Sequence, residues 1–215
     1  MNERVTQSCL RYGVTGLAAI GVLTAAACSS SGGGKPSAST TSHSSSSSTS
    51  TAPSSPSPSP SGGTAPSDLD LTSTLINPAD IPGGTFTLKS ADPINQAPAV
   101  GVDGEFSNAD GSRTVTDVLV WLPTDSDTDT ALTAEQAAAA HQITGGLTDA
   151  PIEVGVGGHI YSGTTANGPA TIIVFQEANY VVTLEFNSKA ASDAIPANLA
   201  TGVATAQDTK VKAAI

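Results

Sequence analysis

Residues 29–67 consist of Ser, Thr, Pro, Gly and Ala, with one Lys35 and one His43 among them. No side chain there is large and apolar, so burial cannot offset the entropy of ordering the chain, and this stretch cannot build a core. Any folded body must come from its flanks. Within it, residues 54–67 (SSPSPSPSGGTAPS) alternate Pro with small residues, which biases them toward extended polyproline II. About 40 residues at roughly 3.1 Å each reach about 120 Å when extended, against about 35 Å as a flexible coil. Dense Ser and Thr beside Pro is also the composition of O-glycosylated stalks, with a bare spacer as the plainer reading.

The upstream flank reads as an export signal. Arg4 and Arg11 precede the run VTGLAAIGVLTAAA at residues 14–27, about 14 residues against the roughly 20 that a membrane-spanning helix requires. It is expected to be cleaved. The stretch Leu23-Thr24-Ala25-Ala26-Ala27-Cys28 resembles the bacterial lipobox, with Ala25 where Leu is usual. The resemblance implies cleavage between Ala27 and Cys28, and fatty-acyl chains such as palmitate on a diacylglycerol-bearing Cys28. The alternative is a plain signal peptide cut after Ala27 that leaves a free thiol. Cys9, the other cysteine, falls in the discarded segment. Neither a disulfide framework nor a Cys-based zinc site is open to the rest of the chain.

The expected organisation is a signal peptide at 1–27, a lipidated cysteine and tether at 28–67, and one domain at 68–215. Eighteen acids in that last part face Lys89, Arg113, Lys189, Lys210 and Lys212, a net charge near −13. Nucleic acid is excluded as a partner, because phosphate binding needs clustered cations. Periodicity orders the elements. A helical turn opens at Asn77-Pro78, a short strand runs over 86–88, and a strand wet on one face runs over 99–106. A hairpin at Asp110-Gly111 leads into a strand over 114–122. Thr133 with Gln136 reads as a capping box opening an alanine-rich helix that Gly145 ends. Strands follow around 159–161, at 170–176 with apolar residues on both faces, and at 180–186 with Thr183 and Glu185 outward. Pro196 opens a last helix with Leu199, Val203 and Ala206 on its buried stripe. The expected fold is α+β: an antiparallel sheet of about six strands with helices on both faces.

Leu75-Ile76-Asn77-Pro78-Ala79-Asp80-Ile81-Pro82 resembles the L-[LI]-x-P-x-D-[LI] opening of actinobacterial and mycobacterial envelope lipoproteins, and of the extracellular sensor domains of mycobacterial serine/threonine kinases. Val154-Gly155, the strand pair turning at Asn179 and Leu199-Ala200 follow in the order seen in such domains. The resemblance to LpqN-type lipoproteins implies a PsbP/Mog1-like sandwich and a non-enzymatic envelope protein. The kinase sensors carry disulfides and this domain has no cysteine, so no sensor role is carried over.

Chemical motifs are sparse. Asp125, Asp127 and Asp129 alternate as in the first half of an EF-hand loop, but Thr130 stands where Gly is needed and Gln136 where a bidentate Glu is needed. A solvated acidic loop is expected, with weak calcium binding as the alternative and no cofactor. His141 and His159 have no nucleophile or carboxylate in a recognisable triad grouping, and Trp121 and Tyr161 read as core or rim aromatics. The expectation is a non-enzyme: a lipid-anchored binding or interaction module on the extracytoplasmic face of the cell membrane, with an envelope protein or glycan as partner. The alternative is a carrier of a lipid or other apolar ligand in the cell envelope. Because a cysteine at residue 28 must bear the chains for stable anchoring, Cys28→Ala is expected to move the protein from the membrane to the soluble fraction. Fractionation of cells expressing each form checks this, and firm retention of the variant contradicts it.

Overall fold

The computed structural model describes residues 71–215. Ala27, Cys28, the tether and residues 68–70 lie outside the described residues. Seven strands form one antiparallel sheet: β1 (Phe86–Gln96), β2 (Ala99–Asn108), β3 (Arg113–Trp121), β4 (Gly145–Pro151), β5 (Val156–Thr165), β6 (Gly168–Glu177) and β7 (Tyr180–Ser188). The order across the sheet is β1-β2-β3-β7-β6-β5-β4. Two meanders, β1 to β3 and β4 to β7, therefore meet along β3 and β7, where Val115 pairs with Phe186 and Trp121 with Tyr180. Helix α1 (Asp125–Gln142) links the meanders, and α2 (Ala197–Ala214) closes the chain.

The central strands dictate where the helices go. All residues from 170 to 176 of β6 are buried, so both faces of that strand need cover. On one face Phe106, Leu119, Ile173, Phe175 and Phe186 pack with Val203, Ala204 and Val211 of α2. On the other, Ile172, Val174, Val181 and Tyr161 pack with Ala139 of α1 and with Ile143 just beyond it. Residues 71–81, a strap of irregular chain with 3-10 turns at Leu71–Thr74 and Pro78–Asp80, complete the α2 face by burying Leu71, Leu75, Ile76 and Ile81. The strap has no strand partner, so side chains satisfy its backbone: Gln207 Nε2 donates to Thr74 O at 2.9 Å, Lys210 Nζ to Leu75 O, and Ile76 N–H donates to Asp117 Oδ2 at 2.8 Å. At the far end of the sheet Arg113 donates to Gly83 O and, at 2.7 Å, to Asp193 O.

Several expectations need correction. The sheet has seven strands, because β4 forms from the wholly exposed run GGLTDAP by pairing with the edge of β5. Gly145 thus opens a strand, and the helix before it ends at Ile143. β1 continues to Gln96 despite Pro93, which an edge strand tolerates because no ladder bond is lost on its outer side. α1 begins eight residues before Thr133, so Asp125, Asp127 and Asp129 lie in a helix and not in a loop. Thr124 Oγ1 accepts from Asp127 N–H at 3.1 Å as the N-cap, and Asp125 and Asp127 sit favourably in the first turn. The hydroxyls of Thr128, Thr130 and Thr133 donate to carbonyls one turn back, so their polar groups are satisfied within the helix. In β7, Glu185 is buried rather than outward, because that strand is central. In α2, Pro196 is the N-cap, Leu199 is exposed and Ala206 half-buried, the buried residues being Ala200, Val203, Ala204, Gln207, Asp208 and Val211.

Truncating the fully buried Phe175 to Ala should cost about 3–5 kcal/mol, whereas Leu147→Ala on β4 should stay within about 0.5 kcal/mol. Thr124→Ala should cost about 1 kcal/mol through the lost cap. A Cβ at Gly104 would lie 2.7 Å from Leu75 Cδ1, so Gly104→Val should cost about 1–3 kcal/mol by displacing the strap. Urea unfolding followed by circular dichroism ranks the four variants.

Candidate functional site

The face that bears α1 is covered over one half only, since α1 lies on β5, β6 and β7. Alternation along the strands brings Ser90, Asp92, Asp103, Glu105, Thr114 and Thr116 to that same face over β1, β2 and β3. Asp92 stands opposite Asp103, and Thr116 lies between Glu105 on β2 and Glu185 on β7. Asp92 and Glu105 are exposed, while Asp103, Thr114 and Thr116 are half-buried. Carboxylates placed opposite one another in neighbouring strands cost stability, so packing alone does not account for this surface.

Helix α1 forms one wall of the open face. Glu135 occupies its sheet-facing stripe, between Thr128 and Ala139, and burial raises the pKa of its carboxyl. On β7, Asn187 Nδ2 donates to Glu185 Oε1 at 2.7 Å, and Asn187 Oδ1 is buried with no hydrogen-bond partner among the described residues. The surface therefore offers carboxylates and hydroxyls, a set suited to accepting hydrogen bonds from a cationic or hydroxyl-rich partner.

An apolar groove of about 470 Å³ opens at the end of this half-sheet, where the β1–β2 hairpin turns through a cis Ala97-Pro98 bond. Asn95, Ala97, Pro98, Ala99, Val100, Trp121 and Pro123 line it. Pro123, the last of these, leads directly into the Thr124 cap of α1. The single Trp of the chain, read from sequence as core or rim, is both: it is 7% exposed and it lines the groove.

The singled-out sequence residues are scattered. Asp127 Oδ2 accepts from Thr124 Oγ1 at 2.7 Å, and the helix puts Asp125 and Asp129 on one face with Asp127 turned to the other, so the three do not converge. Among the described residues, no group of three or more His, Cys, Asp or Glu is placed to hold a metal. His141 is exposed in the last turn of α1. His159 has a partner that sequence distance hid. Pairing of β4 with β5 sets its Nδ1 2.9 Å from Asp149 Oδ1, with the Tyr161 ring stacked at 6.0 Å. The adjacent hydroxyl, Ser162, points to the opposite face and meets Thr171 Oγ1 at 3.3 Å, so it cannot serve that pair as a nucleophile. The open half-sheet itself had one signal in the sequence, the alternation of acids with apolar residues along β2.

Among the described residues, no helix is long and apolar enough to cross a membrane. No protein-family model matches this sequence, and no curated protein matches it. Among solved structures, the extracellular domain of PknH from Mycobacterium tuberculosis is similar with a TM-score of 0.46 and 12% sequence identity, over 66% of this chain and 94% of that one.

Proposed function

We propose that this protein is a binding module of the cell envelope, lipid-anchored at Cys28 and carried beyond the membrane surface on residues 29–67, that engages an envelope protein or glycan without catalysing a reaction. The observation that carries the reading is the uncovered half of the sheet. A fold that places both helices on β5, β6 and β7 leaves β1, β2 and β3 without a helix on the α1 side, where acids and hydroxyls are exposed, and an apolar groove opens at the end of the same strands with Asn95, Val100 and Trp121 turned to the α2 side. Interaction surfaces combine an apolar anchor region with a polar rim in this manner. The groove is an open trough rather than an enclosed cavity, which favours a macromolecular partner over the carriage of an apolar small molecule.

Affinity capture of the intact protein from native envelopes tests the proposal. Asp92→Lys with Glu105→Lys on the open face, and separately Asn95→Arg at the groove, should each reduce retention of the captured partner at least about tenfold, the scale of one lost interfacial contact worth about 1.4 kcal/mol. Thr205→Lys with Thr209→Lys on the exposed side of α2 should leave it unchanged. Equal capture by all four proteins would rule out this face as the binding surface.

A further inference from the structure

Residues 71–81 join the tether to the folded body, and three side chains grip successive residues of that strap. Two of them belong to α2, Gln207 and Lys210, and the third is Asp117 of β3, which has no exposed surface at all. We propose that the strap is a latch, closed on the α2 face of the sheet in acid and loosened as the medium turns neutral, with Asp117 as the group that senses the change.

The geometry is that of a sealed carboxyl. Asp117 Oδ2 accepts the Ile76 N–H, whereas Asp117 Oδ1 is buried and unpartnered among the described residues, as is Gln207 Oε1. A buried carboxylate with one bare oxygen is costly, and a neutral carboxyl is far less so. The charged groups nearby do little to offset this. Lys210 of α2 attracts the carboxylate and Asp103 of β2 repels it through the sheet. Asp80 of the strap is tied to Asn77, Asp208 of α2 to Lys212, and Glu185 of β7 lies on the opposite face. Burial dominates and pushes the pKa of Asp117 up from 3.8 to about 7.

When the strap lifts, water reaches the carboxyl and returns it to its ordinary value. Between about pH 4 and 7 the closed form then holds a proton that the open form has lost, so each unit of rising pH shifts the equilibrium about tenfold toward opening. Above about pH 7 both forms are ionised and the effect levels off. Across the whole range the opening constant rises about a thousandfold.

Hydrogen exchange of the full chain, corrected for intrinsic exchange rates, reads this directly. Peptides covering 71–81 should open at least about tenfold more at pH 8 than at pH 5, while peptides covering β6 keep their protection. Asp117→Asn, which keeps an acceptor for Ile76 N–H but cannot ionise, should give a strap equally protected at both values. Three results would overturn the proposal: a strap indifferent to pH, the same pH dependence in Asp117→Asn, or β6 opening in step with the strap. If Asp117→Asn does not fold, Lys210→Met decides the matter: loss of its bond to Leu75 O loosens the strap equally at every pH, whereas loss of the attracting cation should raise the pH at which strap opening stops increasing. An unmoved upper limit would sink the latch. None of these readouts depends on a binding partner, so the latch and the binding proposal fail separately.

Discussion

The burial of β6 on both faces is the constraint from which the remaining architecture follows. Ile173 and Phe175 on one side and Ile172 and Val174 on the other leave that strand no wet face, and its neighbour β7 is nearly as enclosed. Each face must then be roofed, and the two long helices of the described residues take one face each. With both committed to the β5–β6–β7 half, the β1–β2–β3 half receives only what remains. The strap covers its α2 side, and water meets the other. The open polar face is thus a consequence of how few helices serve a wide sheet.

The two roofs work by different physics. α2 brings Val203 and Val211 into a core of aromatics, so burial of apolar area holds it. α1 brings mainly alanine, which contributes little area per residue, and close fit has to substitute. The sheet beneath it is cut back with glycine to allow that approach. A Cβ on Gly163 would lie 2.4 Å from Ile143 Cγ2, and one on Gly157, already at φ +61°, would lie 2.9 Å from Leu132 Cδ2. Gln136 Nε2 adds a hydrogen bond to Gly157 O at 2.7 Å.

The parts legible in the sequence were those where one residue decides the outcome locally. Asp110-Gly111 turned the β2–β3 connection, and the acid-apolar alternation of 99–106 marked a strand with one wet face. Illegible parts depended on pairing across distance. GGLTDAP has poor strand propensity and is a strand only because β5 presents an edge to it, and the same pairing joins Asp149 to His159. The start of α1 was hidden because Asp and Thr are weak helix formers in an interior. At an N-terminus those same residues cap the helix and complement its dipole, so the segment read as a loop was the stabilised end of a helix. Of the candidate site, the acids of β2 were visible, but their alignment with Glu185 on β7 needed the register.

The strap shows the same dependence on distant partners in its most costly form. An irregular segment lying over a core must find partners for its backbone groups, and neither β2 nor α2 can offer a ladder to it. Side chains 41 and 133 residues away take that role for Ile76 and Thr74. An apolar residue in place of Asp117 would spare the unpartnered oxygen but leave the Ile76 amide without an acceptor, exchanging one buried unsatisfied group for another. The carboxyl resolves the amide at the expense of its own ionisation, and this makes strap closure depend on the solution around it in a way that the dry contacts of β6 do not. Leu75 and Ile76 supply most of what holds the strap, while Asp117 sets the conditions under which it holds.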